Sequence, residues 1–173
     1  MKNEKQISNQ TMLSRIRIDR IREQGYVCQT DSEIGELAFG NRFAYRVCVT
    51  LLIFGVGFAS IPLLSVMLLV AFSSLLLPNH PFDYIYNEVL SKRMNKPKVP
   101  PRSNQLKFAC TLATLWIAST IYLFYSGLTL WGYIVGSLLI VVATLVSTID
   151  FCIPSKIYNA LFVRKPKTSV SNG

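Results

Sequence analysis

Residues 108–149 read FACTLATLWIASTIYLFYSGLTLWGYIVGSLLIVVATLVSTI, and none of these 42 side chains is charged. A second uncharged stretch, VCVTLLIFGVGFASIPLLSVMLLVAFSSLLL, occupies residues 47–77. An α-helix rises about 1.5 Å per residue and the hydrocarbon core of a bilayer is about 30 Å thick, so each stretch is too long for one straight crossing. The sequence therefore predicts an integral membrane protein with two long apolar blocks.

Each apolar block contains a break near its middle. In the first block the break is Gly55-Val56-Gly57-Phe58-Ala59-Ser60-Ile61-Pro62, where a proline follows flexible glycines, and in the second it is Tyr125-Ser126-Gly127-Leu128-Thr129. Proline removes a backbone donor and glycine favours a turn, so both blocks are predicted to be helical hairpins. The four predicted spans cover about 41–60, 62–78, 106–125 and 129–149.

An amphipathic segment follows each hairpin. The first begins at Asn79-His80-Pro81, and its apolar residues are predicted to share one face: Phe82, Ile85, Tyr86, Val89 and Leu90. The second begins at Pro154 and places Ile157, Tyr158, Leu161 and Phe162 on one side. Such faces lie in the headgroup boundary of a bilayer. The predicted fold class is therefore all-α, a polytopic membrane protein with four transmembrane helices in two hairpins, each followed by a short amphipathic interfacial helix. The basic residues predicted to contact headgroups are Lys92, Arg93, Lys96, Lys98, Arg164 and Lys165.

Short matches favour a parallel repeat of this plan. Arg42-Phe43-Ala44 parallels Lys107-Phe108-Ala109 at the start of each hairpin, and Ile85-Tyr86-Asn87 recurs as Ile157-Tyr158-Asn159 after each hairpin. Equivalent positions in the two halves are typical of membrane folds built by internal repetition.

The basic residues predict the orientation. Of the 18 Lys and Arg residues, eight lie in 1–46, six in 78–107 and four after residue 149, and the two predicted turns contain none. Basic residues flank spans on the cytoplasmic side, so both termini and the central loop are predicted to be cytoplasmic, in the cytoplasmic (inner) membrane. The net charge of +9 then fits anionic lipid headgroups as the partner and requires no nucleic acid. No cleavable signal peptide is predicted, because about forty mostly polar residues precede the first span.

Three regions are expected along the chain. Residues 1–40 match neither a helical stripe nor an alternating strand, and we expect a polar cytosolic segment, partly disordered, that could bind a cytosolic partner. Residues 41–158 form the membrane domain, and residues 159–173 form a basic cytosolic tail.

Few side chains in the spans could support chemistry. The only charged ones are Arg42, Arg46 and Lys107 near the cytoplasmic ends, so proton-coupled transport has no carrier within the spans. A single histidine and no paired cysteines predict no metal site and no cofactor. The four cysteines, Cys28, Cys48, Cys110 and Cys152, are expected to be free thiols.

The candidate site is therefore at the cytoplasmic face, and its residues are Cys152, Asp150 and Arg102. One hypothesis makes Cys152 a reactive thiol whose pKa is lowered by Arg102, Lys156 or the N-terminus of the helix starting at Pro154. Asp150 opposes a nearby thiolate. The favoured alternative is a small buried Cys152, with Asp150 paired to Arg102 or Lys107, and a His80 that serves the helix start.

The chain resembles a family of small bacterial membrane proteins, domain of unknown function 4395. The resemblance rests on Arg46, Pro101-Arg102, Phe108-Ala109 and Phe151-Cys152, and it covers roughly 41–158. Members often carry a second cysteine three residues after the first and accompany thioredoxin-like or sulfurtransferase proteins, which implies thiol or sulfur chemistry. Here that position is Ser155, so the resemblance implies at most a single-thiol mechanism.

Three function classes remain open. The favoured one is a non-catalytic accessory or scaffold bundle that works with another membrane protein, since no catalytic constellation stands out. The second is a thiol or sulfur-handling protein that uses Cys152, with a thioredoxin-like partner. The third is a reticulon-like membrane-shaping protein, whose hairpins would enter only one leaflet.

Overall fold

The computed structural model describes residues 15–26 and 30–163, which form helices and connecting segments and contain no strand. The elements in chain order are α1 (15–23), α2 (Asp31–Gly57), α3 (Ile61–Leu76), α4 (Pro81–Ile85), a π-helical segment (Tyr86–Leu90), α5 (Ser91–Met94), α6 (Asn104–Tyr125), α7 (Thr129–Ile149) and α8 (Ile153–Phe162). The all-helical class is confirmed.

The predicted breaks in the apolar blocks coincide with the observed turns. Helix α2 ends at Gly57, and Ala59 takes a positive φ of 46°. Ser60 occupies the N-cap position of α3 without a side-chain hydrogen bond, and α3 has a proline in its first turn. The second turn contains Gly127 at a φ of 77°, between α6 and α7. Glycine adopts this left-handed conformation without a steric penalty, which explains why the chain reverses there.

Three helices are long and apolar enough to cross a membrane: Glu33–Gly57, Asn104–Tyr125 and Thr129–Ile149. Helix α3 has 16 residues, and it reaches the required length only together with Pro81–Met94, to which it is bent by 81°. The structure therefore has three to four candidate membrane-spanning helices.

Helix α1 and the first turns of α2 lie before the first predicted span. Helix α2 begins at Asp31, where Thr30 and Glu33 form a reciprocal capping box. Ile21 of α1 and Ile34 of α2 are buried in one apolar cluster with Tyr86. Local periodicity does not show these helices because packing against the rest of the chain stabilises them. Residues 1–14 and 27–29, which include Cys28, and the tail 164–173, which includes Arg164 and Lys165, lie outside the described residues.

The residues predicted to share one apolar face after α3 differ in burial. Tyr86 is completely buried and its ring lies 5.7 Å from that of Phe43, whereas Ile85 and Val89 are about half exposed. The π-helical segment explains the difference, because its wider turn changes which residues share a face. After the second hairpin the predicted helix is confirmed as α8, whose Tyr158 packs on Phe108.

The four long helices pack as α2 against α7, α3 against α6 and α6 against α7. Two glycines of α7 permit close approach: a Cβ at Gly136 would lie 2.7 Å from Val56, and one at Gly132 would lie 2.6 Å from the ring of Phe124. Small residues at such crossings let helices pack closely. The membrane core cluster, as we call it, contains Leu52, Val56, Leu64, Met67, Ala71, Ile117, Phe124 and Leu139.

Candidate functional site

Two ion pairs lie at one end of the bundle, one between α2 and the end of α7 and one between α4 and the segment before α6. Arg42 in α2 binds Asp150 after α7 through both carboxylate oxygens, with its Nε donating at 2.7 Å. Arg102, just before α6, donates from Nε and Nη2 to Asp83 in α4 at 2.8 and 3.3 Å. Both aspartates are completely buried. The pairs are crossed, because Arg42 in α2 pairs with the aspartate after α7, and Arg102 before α6 pairs with the aspartate after α3.

This pairing corrects one sequence prediction. Asp150 was expected to pair with Arg102 or Lys107, and it pairs with Arg42 instead. The backbone amide of Arg102 donates to the carbonyl of Pro78 at 2.8 Å, and this bond holds Arg102 beside α4 rather than beside the end of α7.

The repeated tripeptide has a matching role in both halves. Asn87 donates to the carbonyl of Val99 at 3.0 Å and accepts from its amide at 2.8 Å. Asn159, the equivalent residue, donates to the carbonyl of Glu23 at 2.8 Å. Each asparagine therefore ties down a segment that precedes the other hairpin. This correspondence supports the interpretation of the short sequence matches as an internal repeat.

A cavity of about 730 Å³ begins beside Arg102 and extends between α6 and α7. Most of its wall is apolar and includes Leu112, Trp116 and Leu139. Its polar end, as we call it, consists of Tyr45, Cys48, His80, Arg102, Cys110 and Cys152. The lining residues Leu115 and Leu138 are 61% and 54% exposed, so the cavity opens on the outer surface of the helix pair.

His80 combines a capping role with a fixed protonation state. It caps α4, where its Nδ1 accepts from the backbone amide of Phe82 at 3.3 Å. The carboxylate of Asp83 in turn accepts from the backbone amide of His80. A ring nitrogen that accepts a hydrogen bond carries no proton, so the proton of the neutral ring is on Nε2. Burial, with the charge of Arg102, lowers the pKa of His80 to about 3. His80 is therefore a neutral donor, and its Nε2 lies 3.8 Å from the sulfur of Cys48.

The Arg102 guanidinium is buried and its charge is balanced. Besides the two bonds to Asp83, Nη1 donates to the hydroxyl of Tyr45 at 3.3 Å. Each nitrogen thus donates once in these bonds, which use three of the five N–H groups of the guanidinium and leave two without a partner among them. Arg102 and Cys110 both line the cavity. The polar end can donate hydrogen bonds without presenting a net charge.

Cys152 is buried, with 5% of its surface exposed, and Ser155 donates to its sulfur at 3.1 Å. Burial raises the pKa of the Cys152 thiol, which is the opposite of the direction in the reactive-thiol hypothesis. The ammonium of Lys156 lies over the ring of Phe151, 4.8 Å from its centre, and 3.5 Å from Glu23. Reactivity of Cys152 stays a prediction, and it would require a change in these surroundings.

Sequence reasoning missed three contributors to the site: Asp83, Tyr45 and the convergence of Cys48 and Cys110 on the cavity that Cys152 lines. A partial signal existed, because both cysteines lie within the first two to three turns of a predicted span. Within 15–26 and 30–163, no group of His, Cys, Asp or Glu could hold a metal ion.

The described basic residues of the predicted headgroup surface lie in and after α5. Lys92 and Lys98 both pair with Glu88, and Lys96 lies over the ring of Phe39. The side chains of Lys92 and Lys98 are more than half exposed. Their contact with lipid headgroups, and that of Arg93, stays a prediction.

One comparison with known proteins finds a match. The family model described as Domain of unknown function (DUF4395) matches residues 39–162, which include α3 to α8, most of α2 and the whole cavity lining. Neither the curated proteins nor the solved structures contain a match.

Proposed function

The chain belongs to the family described as Domain of unknown function (DUF4395), and from its cavity we propose that it binds a lipid-soluble molecule at the charged end of a four-span membrane bundle. The observation that carries this proposal is the cavity itself, which joins an apolar wall open on the helix surface to a largely buried polar end. Small-molecule sites are mostly apolar concavities with a few placed polar groups, and their volumes are about 300 to 1,000 Å³.

The proposed topology is two hairpins, each followed by an interfacial helix, with both termini and the central loop on the cytoplasmic side of the cytoplasmic membrane. It is supported by the distribution of charge. Both ion pairs lie at the end where the hairpins begin and finish, and residues 47–82 and 108–149 contain no Asp, Glu, Lys or Arg. A molecule dissolved in the bilayer could then enter the cavity sideways.

In this role the protein is an accessory bundle and no enzyme, as the favoured sequence hypothesis holds. A nucleophile needs a base that can take its proton. The nearest such pair is Cys48 and His80, but the nitrogen that faces the sulfur already carries a proton. Another membrane protein or a thioredoxin-like protein is the proposed partner. Anionic lipid headgroups are proposed to contact Lys92, Arg93, Lys96 and Lys98.

The test is to identify molecules that copurify with the protein in lipid nanodiscs by native mass spectrometry. Ala113 lines the cavity, so Ala113→Phe fills it and is expected to remove the bound molecule. Thr111 lies on the same helix, is exposed and does not line the cavity, so Thr111→Phe is the matched control and should retain the molecule. If both variants or neither lost the molecule, the proposed site would be wrong.

Thiol or sulfur handling through Cys152 is a second candidate, because Cys48 and Cys110 line the same cavity. It predicts that Cys152→Ser abolishes a cellular phenotype. Cys110→Ser is a poor control, because Cys110 and Cys152 line the same cavity. Ser155→Ala is a better one, since it keeps the thiol and removes only its hydroxyl donor. A normal phenotype for Cys152→Ser would exclude this candidate.

The membrane-shaping alternative is less well supported by helix length. Helices α6 and α7 contain 22 and 21 residues, or about 33 and 32 Å, which matches full crossing of a 30 Å core. A cysteine tag in the turn between Ser126 and Thr129 should react with an impermeant maleimide from outside intact cells. Labelling from the cytosolic side only would support a one-leaflet wedge.

A further inference from the structure

We propose that the ligand of the cavity has an uncharged carbonyl-type oxygen as its polar head, bound by the N–H groups of His80 and Arg102, and an apolar tail between α6 and α7. This inference rests on the proposed function, because it names the chemical class of the molecule that the cavity would bind. It follows from which hydrogen-bonding groups the polar end offers and which it lacks.

The His80 donor is fixed in the fold by the start of α4. The amide of Phe82 occupies Nδ1, so Nε2–H is the donor on the side of Cys48 and the cavity. The present partner of Nε2–H is a cysteine sulfur at 3.8 Å, and sulfur is a weak acceptor. A ligand oxygen that reaches the same position would make a stronger bond, because oxygen is the better acceptor.

Arg102 offers further donors without offering a free charge. Its carboxylate partner, Asp83, is completely buried beside it, and Arg102 is the only charged residue that lines the cavity among those the structure describes. An ionised head would therefore have to leave water without a free counter-charge, which is costly in an apolar site. A neutral acceptor has no such cost and satisfies the remaining N–H groups.

A donor-only head, such as an amine, is disfavoured for the complementary reason. The hydroxyl oxygen of Tyr45 already accepts from Arg102, and the other acceptors at the polar end are the three cysteine sulfurs. The chemistry common to the remaining ligands is an uncharged carbonyl oxygen on a hydrocarbon tail. Isoprenoid quinones and neutral glycerol esters both have this chemistry.

The shape of the cavity agrees with such a ligand. Most of the polar end is buried, with Tyr45 and Cys48 half-buried, whereas the lining residues Leu115 and Leu138 are exposed on the surface of the bundle. A volume of about 730 Å³ holds a head and the first part of a tail, and the rest of the tail would leave between these two leucines.

Trp116 provides a reporter for the test, because it lines the cavity while Trp131, the other tryptophan, is 57% exposed and does not line it. Decylubiquinone is titrated into nanodiscs that contain the Trp131→Phe variant, and quenching of Trp116 fluorescence is followed. Trp116→Phe, which keeps only Trp131, reports quenching by quinone dissolved in the bilayer. We expect saturable quenching of Trp116 above that baseline.

Competition against decylubiquinone then identifies the chemical class of the ligand's polar head. It uses the protein with its polar end unaltered. Dioctanoylglycerol, a neutral ester, should displace decylubiquinone from Trp116 if any uncharged carbonyl suffices, and its failure to compete would restrict the class to quinones. Octanoate at pH 8 and octylamine should not compete. Competition by octanoate or octylamine equal to that of the neutral ester would overturn the inference.

His80→Asn removes the N–H that faces Cys48 and keeps a side chain that can cap α4. The loss of one hydrogen bond should weaken decylubiquinone binding by about fivefold to tenfold. Unchanged affinity in a folded variant would contradict the role of His80. If the affinity of His80→Asn is unchanged but Ala113→Phe removes a copurified molecule, the assignment of the polar head is wrong and the proposed function stands. If Ala113→Phe also has no effect, the proposed function is wrong as well.

Discussion

The two ends of the bundle are built in different ways. At the turn end, residues 58–60 and 126–128 connect helices whose contacts are apolar and whose close approach depends on glycines such as Gly136. At the charged end, specific pairs hold the halves together, Arg42 with Asp150 and Arg102 with Asp83. The stability of the turn end therefore depends on the volume of the side chains that pack there, whereas the stability of the charged end depends on the identity of each ion-pair partner.

This difference has an energetic basis. Apolar cores accept substitutions that conserve volume, usually at a cost below about 1.5 kcal/mol. A buried charge that loses its partner costs roughly 3 to 5 kcal/mol, because it keeps the desolvation penalty without the compensating attraction. Substitutions at the charged end should therefore lower the free energy of unfolding more than substitutions at the turn end. The second substitution that restores stability should also differ between the two ends.

The largest effect is expected from Asp83→Asn, which leaves the buried Arg102 without a counter-charge. The free energy of unfolding in nanodiscs should fall by roughly 3 to 5 kcal/mol. Lys92→Gln is the control, because it breaks an exposed pair with Glu88 and should behave like the original protein. Replacing both partners, with Asp83→Leu and Arg102→Met, should recover part of the loss. A double variant as unstable as Asp83→Asn would show that the pair is more than an electrostatic requirement.

At the turn end, Gly136→Ala should cost about 1 to 3 kcal/mol, because its Cβ would lie 2.7 Å from Val56. Gly57→Ala is matched to it, since a Cβ at Gly57 meets nothing within 4 Å. Thermal unfolding of both variants in the same detergent would compare them. Equal melting temperatures would mean that α2 and α7 do not approach closely at Gly136.

His80 predicts a pH dependence that is specific to the charged end. Its pKa is about 3 in the folded protein and about 6.5 when exposed, so between these values the unfolded chain binds one more proton. The neutral His80 ring makes its full contribution to the free energy of unfolding above about pH 6.5. That contribution falls by about 1.4 kcal/mol per pH unit as the pH drops below this value. Unfolding between pH 4.5 and 7.5 should show this slope in the original protein and a shallower one in His80→Asn. Identical slopes would show that His80 does not resist protonation.

The smallest effect is expected at Cys152. Ser155→Ala removes one hydroxyl donor and should cost about 0.5 to 1.5 kcal/mol. Because that donor partly offsets the rise in the thiol pKa caused by burial, its loss should raise the pKa further and slow labelling by maleimide. The measurement is the labelling rate against pH in a variant that keeps only Cys152. Faster labelling of Ser155→Ala would indicate that the serine protects the sulfur sterically.

The parts of the fold that local chemistry determines could be predicted. The breaks at residues 55–62 and 125–129, the cap at His80 and the helix that starts near Pro154 all depend on glycine, proline and capping residues within a few positions. The start of α2 has a local signal that was missed, the capping box of Thr30 and Glu33. The burial of Ile34 could not be predicted locally, because Ile34 packs against residues that are distant in sequence. The same is true of Tyr86, which lies within the π-helical segment.

The sequence predicted the candidate site only as a set of residues at the same end of the membrane bundle, without their contacts. The topology placed Arg102, Asp150 and Cys152 at the same face, but Asp150 pairs with Arg42, and Asp83 was absent from the prediction. Sequence spacing contains no information about which arginine reaches which aspartate, because the partners are separated by 108 residues in one pair and by 19 in the other.

The family follows from a match over residues 39–162, and the helical class, the two uncharged blocks and their turns follow from composition and from chemistry between near neighbours. The crossed ion pairs and the cavity that three cysteines line require the three-dimensional arrangement of the chain. They depend on the packing of α2, α4, α6 and α7 against one another. Packing brings together side chains from distant segments, and neither hydropathy nor charge counts encode their relative positions.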